Sequence, residues 1–154
     1  MDLPPPALAR DLADLGATQA LARQVAALLR PGDAVLLAGP LGAGKTEFAR
    51  ALLRDLAGDP TLEVPSPSYT LVQSYATRLG PVHHFDLWRV AAPGALVELG
   101  WDEARQGVVL VEWPDRLGAC TPPDALTIEL QPTGGAHSRR AVLSGWPDRI
   151  GHLG

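Results

Sequence analysis

The chain has 154 residues, 46% of them apolar and 19% charged, with a net charge of −4, values suited to one globular domain with an ordinary core. No apolar run approaches the roughly 20 residues of a membrane helix, and no basic cluster or basic-aromatic interleaving offers nucleic acid a direct footprint. The opening "MDLPPPALARDLADLG" lacks a basic leader and an apolar h-region, and the one cysteine, Cys120, has no partner for an internal disulfide. The expectation is a cytoplasmic single domain, 1–154, with 1–16 and 147–154 peripheral or flexible.

In chain order, Thr18 is placed as the N-cap of a helix whose Leu21, Val25, Leu28 and Leu29 recur at helical spacing until Pro31-Gly32 ends it. "DAVLLAG", 33–39, reads as a short buried strand. "TEFARALLRDLAG" reads as a helix with Phe48, Leu52, Leu53 and Leu56 on one face and Gly58 as terminator. "PSPSYTLVQSY" begins with two helix-excluding prolines and then alternates, which predicts a strand behind a rigid loop. "VHHFDLW" is another strand, "GALVELGWDEAR" a short helix or two, and "GVVLVEW" the best candidate for a central strand. "ALTIEL" and "RRAVLSG", joined by "QPTGGAHS", predict a closing hairpin. The expected class is α/β, a mixed sheet with a parallel core and antiparallel C-terminal strands.

Among thirteen basic residues only Lys45 is a lysine. It lies in Gly39-Pro-Leu-Gly-Ala-Gly44-Lys45-Thr46, which fits G-x-x-x-x-G-K-[ST] with a strand before and a helix after. Glycines let backbone N–H groups converge on phosphate oxygens, the helix N-terminus adds its positive end, lysine reaches the β/γ oxygens and threonine's hydroxyl ligates Mg²⁺. Arginine's planar fork substitutes poorly in so tight a cradle. The residues assigned to nucleotide are therefore Gly39, Leu41, Gly42, Ala43, Gly44, Lys45, Thr46 and Glu47.

Such a loop needs a carboxylate to complete the Mg²⁺ shell, usually at the end of a neighbouring apolar strand. Glu112 in "VVLVE" has that position, and Asp86 in "HHFDLW" is a second candidate for the metal or for orienting the attacking water; a helix cap or an ion pair with Arg89 is the plainer reading of Asp86. "SPSYT" has the character of a switch that senses a γ-phosphate through Ser66, Ser68 or Thr70. His83 and His84, adjacent in a strand, face opposite sides and cannot share one metal. Trp88, Trp101, Trp113 and Trp146 are read as core or interface residues. "EWPDRLGACTPPD" serves equally well as a docking edge or as packing over the sheet.

Five blocks in order, "GPLGAGKTEF", "SPSYTLVQSY", "HHFDLWRV", "ELGWDE" and "VLVEWPDRLG", together resemble the TsaE family, also called YjeE, bacterial ATPases needed to make threonylcarbamoyladenosine (t6A) on tRNA. The resemblance implies a P-loop NTPase-like three-layer sandwich that binds Mg²⁺ with ATP or ADP. It implies that Lys45 and Thr46 hold phosphates and Mg²⁺, that Glu112 is the Mg²⁺ ligand, and that Asp86 is a functionally important acid. It also implies that Thr18 and an arginine near Ser138 to Arg140, taken as Arg139, approach nucleotide, and that 66–70 is the switch-like loop. Catalytic roles fall to Lys45, Asp86 and Glu112. The implied partners are the TsaD and TsaB proteins, with tRNA reached only through their complex and ATP hydrolysis resetting it. Ser68 stands where the family usually has threonine, Trp88 where it has tyrosine, and Glu47 where a second threonine often follows the loop. Glu47 suits the helix dipole but brings negative charge near the α-phosphate. GTP is disfavoured because no N-K-x-D stretch is present. A small-molecule kinase and a non-catalytic nucleotide-sensing module are the alternative readings.

Overall fold

The structure, a computed structural model, describes residues 7–92 and 94–153. Its strands are β1 (Ala7–Leu12), β2 (Ala34–Ala38), β3 (Val72–Thr77), β4 (Gly80–Asp86), β5 (Val108–Glu112), β6 (Leu126–Pro132) and β7 (Arg139–Ser144). Its helices are α1 (Leu15–Leu28), α2 (Lys45–Ala57) and the single turns α3 (Ala95–Glu98) and α4 (Trp101–Ala104), with 3-10 segments at Pro114–Cys120 and Ile150–Leu153. The strands form one sheet in the order β1-β7-β6-β2-β5-β4-β3.

Uninterrupted apolar runs mark strands covered on both faces, and β2 and β5 occupy adjacent positions within the sheet. Successive side chains alternate. Val35 and Leu37 of β2 with Val108 and Leu110 of β5 join the core under α1 and α2. Ala34 and Leu36 with Val109 and Val111 join a second core with Leu96, Trp101 and Leu117 on the opposite face. There Phe85 meets Trp101 edge-on, ring centroids 5.2 Å apart.

β6, β2, β5 and β4 are parallel, β7 and β1 continue antiparallel at one side, and β3 pairs antiparallel with β4 at the other. The expected hairpin is β6–β7, but its first strand belongs to the parallel core. The 3-10 segment after β5 crosses the second face, where Leu117 is buried, and returns the chain to run alongside β2. "EWPDRLGACTPPD" therefore includes packing over the sheet.

Three local expectations differ from the structure. The first helix starts a turn earlier, capped by Asp14, whose carboxylate accepts from the Ala17 amide at 2.8 Å; Thr18 is buried inside the helix. Residues 7–12 form an edge strand on β7, whereas 1–6 lie outside the described residues. At the other end Ile150 and Leu153 enter the core beside α1, and Arg149 grips Asp33 through two bonds of 2.7 and 3.1 Å. Among the described residues no helix is long and apolar enough to cross a membrane.

Because Leu110 is fully buried between neighbouring strands and under α2, truncation leaves a cavity that this rigid layer cannot collapse. Leu110→Ala is expected to lower unfolding free energy by about 2–5 kcal/mol, read from urea denaturation.

Candidate functional site

Parallel strands place their C-terminal ends on one rim, where ligands of such sheets bind. Here β2 ends beside β5, with Leu37 paired to Glu112, and β4 ends with Asp86 paired to Glu112. The rim therefore holds the glycine-rich loop and two carboxylates before any side chain is placed.

The loop needs glycine at three points. Gly39, Gly42 and Gly44 have φ of 139°, 80° and 96°, left-handed values that side chains resist. A Cβ on Gly39 would overlap the Leu130 carbonyl oxygen of β6, and one on Gly44 would sit 3.1 Å from Arg139 Nε. Gly44 caps α2 without a side chain, so no side-chain acceptor covers the first amides of that helix. Arg139 backs the loop: its Nε donates to the Ala43 carbonyl at 2.6 Å and its Nη2 to that of Gly42 at 3.2 Å. Those carbonyl oxygens would repel an anion, and the guanidinium holds them.

Lys45 is buried and folds back on its own loop, donating to the carbonyls of Gly39 and, at 3.3 Å, Pro40. Its ammonium also lies 3.5 Å from the ring centroid of Trp113, a cation–π contact. Burial lowers the pKa of this ammonium from the ordinary 10.5, against the pull of Glu112, Asp86 and Asp115. Thr46, next in α2, donates from its hydroxyl to both Glu112 oxygens, at 3.0 and 3.2 Å.

Alternation along β4 turns His84 and Asp86 toward the side of α2, as it does Glu112 on β5. His84 is fully buried and its Nε2 donates to Glu112 Oε2 at 2.7 Å. Asp86 accepts from the hydroxyls of Ser66 and Ser68 at one oxygen, both 3.1 Å, and from the Trp88 amide at the other, 3.0 Å. Arg89 instead stacks on Tyr69, 4.5 Å from its ring centroid. The 66–70 loop is closed by Leu71, whose φ is 68° and whose amide donates to the Pro67 carbonyl at 2.7 Å.

These groups surround a cleft of about 440 Å³ lined by Leu41 through Glu47, Ser66, Ser68, Tyr69, Asp86, Trp88, Arg89, Glu112, Trp113 and Arg139. Most of the site residues named from sequence thus meet in one place. Thr18 does not: it is buried in α1 and is not part of the cleft wall. Thr70 is exposed and accepts from Gln73 at 3.1 Å instead. Glu47 lines the cleft and lies 3.8 Å from His137. Trp101 and Trp146 are core residues, but Trp88 and Trp113 line the cleft, their rings 4.5 Å apart. The sequence alone does not place His84 or Trp113 in the site; the position of Trp113 directly after the strand-end glutamate is the available signal.

A family model described as "Threonylcarbamoyl adenosine biosynthesis protein TsaE" matches residues 12–142. The chain belongs to the TsaE family. It is 37% identical over 115 residues to the tRNA threonylcarbamoyladenosine biosynthesis protein TsaE of Rickettsia felis, covering 74% of this chain and 67% of that protein. It is 36% identical over 119 residues to the Bacillus subtilis TsaE, covering 76% of this chain and 73% of that one. Among solved structures, Bacillus subtilis YdiB superposes with a TM-score of 0.77 at 30% identity, covering 99% of this chain and 94% of the other. The similarity thus extends from sequence to the whole sheet.

Lys45 gives this TsaE chain a testable pH signature. A folded-state pKa below the unfolded one means that the native state sheds the proton first, so stability from this group rises with pH through the lowered folded value up to 10.5. Relative to Lys45→Met, the unsubstituted protein is expected to gain stability as pH is raised over that window, measured by paired urea titrations.

Proposed function

We propose that this chain is a P-loop ATPase that binds and hydrolyses Mg-ATP in support of tRNA t6A modification, acting on a complex of TsaD and TsaB proteins. The observation that carries the reading is the convergence in one cleft of the glycine-rich loop, Lys45, the Thr46–Glu112 pair and Asp86 with its two serines. The names of the relatives support the tRNA-modification role.

The donor set fits magnesium: a hydroxyl and a carboxylate, both hard oxygen ligands, face each other at the start of a helix. Thr46 and Glu112 would hold the ion, which when bound neutralises phosphate charge and leaves the terminal phosphorus open to attack. Lys45 leaves its own carbonyls for the phosphate oxygens, exchanging neutral acceptors for charged ones. Arg139 keeps the Gly42 and Ala43 carbonyls engaged. Glu112, held by Thr46 and His84, is suited to the metal; Asp86, held only by the hydroxyl loop and one amide, is suited to orienting water. Ser66 and Ser68 then respond to whatever Asp86 binds, which makes 66–70 the nucleotide-sensing segment. Hydrolysis by the isolated chain is slow and partner docking raises it. Transfer chemistry belongs to the partner, and tRNA is met through the complex in the cytoplasm.

Purified protein is expected to hydrolyse Mg-ATP weakly, and faster once TsaB and TsaD of the same organism are added; Lys45→Ala should reduce the stimulated rate by about 100-fold or more while the fold is kept. Nucleotide binding without stimulation would instead favour a kinase or a sensing module, and unchanged turnover in Lys45→Ala would remove the assignment of the loop. Glu112→Ala should shift the magnesium titration to higher concentration; an unaltered titration would transfer the metal to Asp86.

A further inference from the structure

We infer that His84 is a positioning residue for the metal site, fixing the Glu112 carboxylate in the orientation that meets Thr46; the inference rests on the reading of the cleft as a Mg-nucleotide site. Three observations support it. His84 is fully buried, on the same face of the sheet as Glu112, and its one side-chain hydrogen bond is to Glu112 Oε2 at 2.7 Å. Its other ring nitrogen, Nδ1, has no partner among the described residues. The neighbouring rung of the same strand face, Val82, is apolar and equally buried.

An apolar side chain would fill this position without stranding a ring nitrogen, so packing alone gives a poor account of a histidine here. What histidine adds is a rigid donor at a fixed distance. β4 and β5 are hydrogen-bonded neighbours, so the backbone carrying the fully buried ring is held in register with that of Glu112. Glu112 has two free side-chain torsions before its carboxylate group, and pinning Oε2 sets the carboxylate so that both its oxygens face the Thr46 hydroxyl, at 3.0 and 3.2 Å. Partners behind a metal-ligating group orient it in this way, and their loss typically weakens metal binding about 10- to 100-fold.

The test reads metal-dependent affinity rather than turnover. N-methylanthraniloyl-ADP is titrated by fluorescence into the full chain, with magnesium and with EDTA, for the unsubstituted protein, His84→Leu, His84→Asn, His84→Gln and Glu112→Gln, with and without His84→Leu; circular dichroism melts establish folding. His84→Leu is expected to keep the EDTA affinity and raise the half-saturating magnesium concentration about 10- to 100-fold. His84→Gln, whose amide nitrogen reaches the Nε2 position, should recover most of that loss. His84→Asn, equally polar but too short, should not, and it serves in place of the leucine variant should that one fail to fold. In the Glu112→Gln background, His84→Leu should add nothing. An unchanged magnesium dependence in both His84→Leu and His84→Asn, or equal losses with magnesium and EDTA, would overturn the role of His84 alone. Failure of the unsubstituted protein to bind the probe more tightly with magnesium would overturn the metal-nucleotide reading as well.

Discussion

A carboxylate taken out of water must be fully partnered, and Glu112 is the group on which this cleft is organised. It is buried at the end of β5, bonded to Thr46 at the start of α2 and to His84 on β4. Leaving a buried polar group without its partner costs about 1–3 kcal/mol, more for a charged one, so these three elements are tied by a group that tolerates little drift. The consequence is geometric: the first turn of α2 cannot move away from the sheet without exposing or stranding that carboxylate.

The glycine-rich loop is stretched between two anchors of opposite kind. Glu112 holds its C-terminal end from below through Thr46, and Arg139 holds the Gly42 and Ala43 carbonyls from β7, across β6 and β2 from the acid. Among the described residues Lys45 between them has no counter-anion in hydrogen-bonding range and takes backbone carbonyls and the Trp113 face. A cation so placed is desolvated and only partly compensated, as its lowered pKa records. The loop is thus held by a cation that its hydrogen bonds to backbone carbonyls and its contact with the Trp113 ring compensate only in part.

What could be read in advance follows from the range of the interactions. The strand, loop and helix around Lys45 are encoded within twenty-four consecutive residues, 34–57, and strand-end acids declare themselves by position, so Glu112 and Asp86 are legible. β1 is not: its burial alternates only weakly along an edge, where pairing to β7 far along the chain substitutes for a strong apolar pattern. The parallel direction of β6 depends on a crossover whose route no local pattern encodes. The cap at Asp14 lies well before Leu21, where the recurring apolar pattern begins, and Gly16 between them weakens the helical pattern. His84 escapes for the same reason as β1: the neighbouring pair of histidines reveals only that the two face opposite ways, while the partner that gives His84 meaning lies 28 positions on. Thr70 misleads in the reverse sense, since its hydroxyl suits a sensing loop but the left-handed turn at Leu71 leaves it facing Gln73.

Asp86 and Glu112 are paired residues on adjacent parallel strands, yet their surroundings differ in kind. Glu112 is held by a buried ring and a helix; Asp86 is held by two hydroxyls of one short loop and by an amide just beyond its own strand. Serine hydroxyls reorient at little cost, whereas a buried histidine on a central strand does not. The cleft between these two acids therefore has one stiff wall and one built on hydroxyls of the loop that carries Tyr69. That residue, Leu41 and Trp88 are large exposed apolar side chains lining the cleft, the first two more than three-quarters exposed. Strand register thus sets a rigidly held acid beside one held by a loop, on the same rim of the sheet.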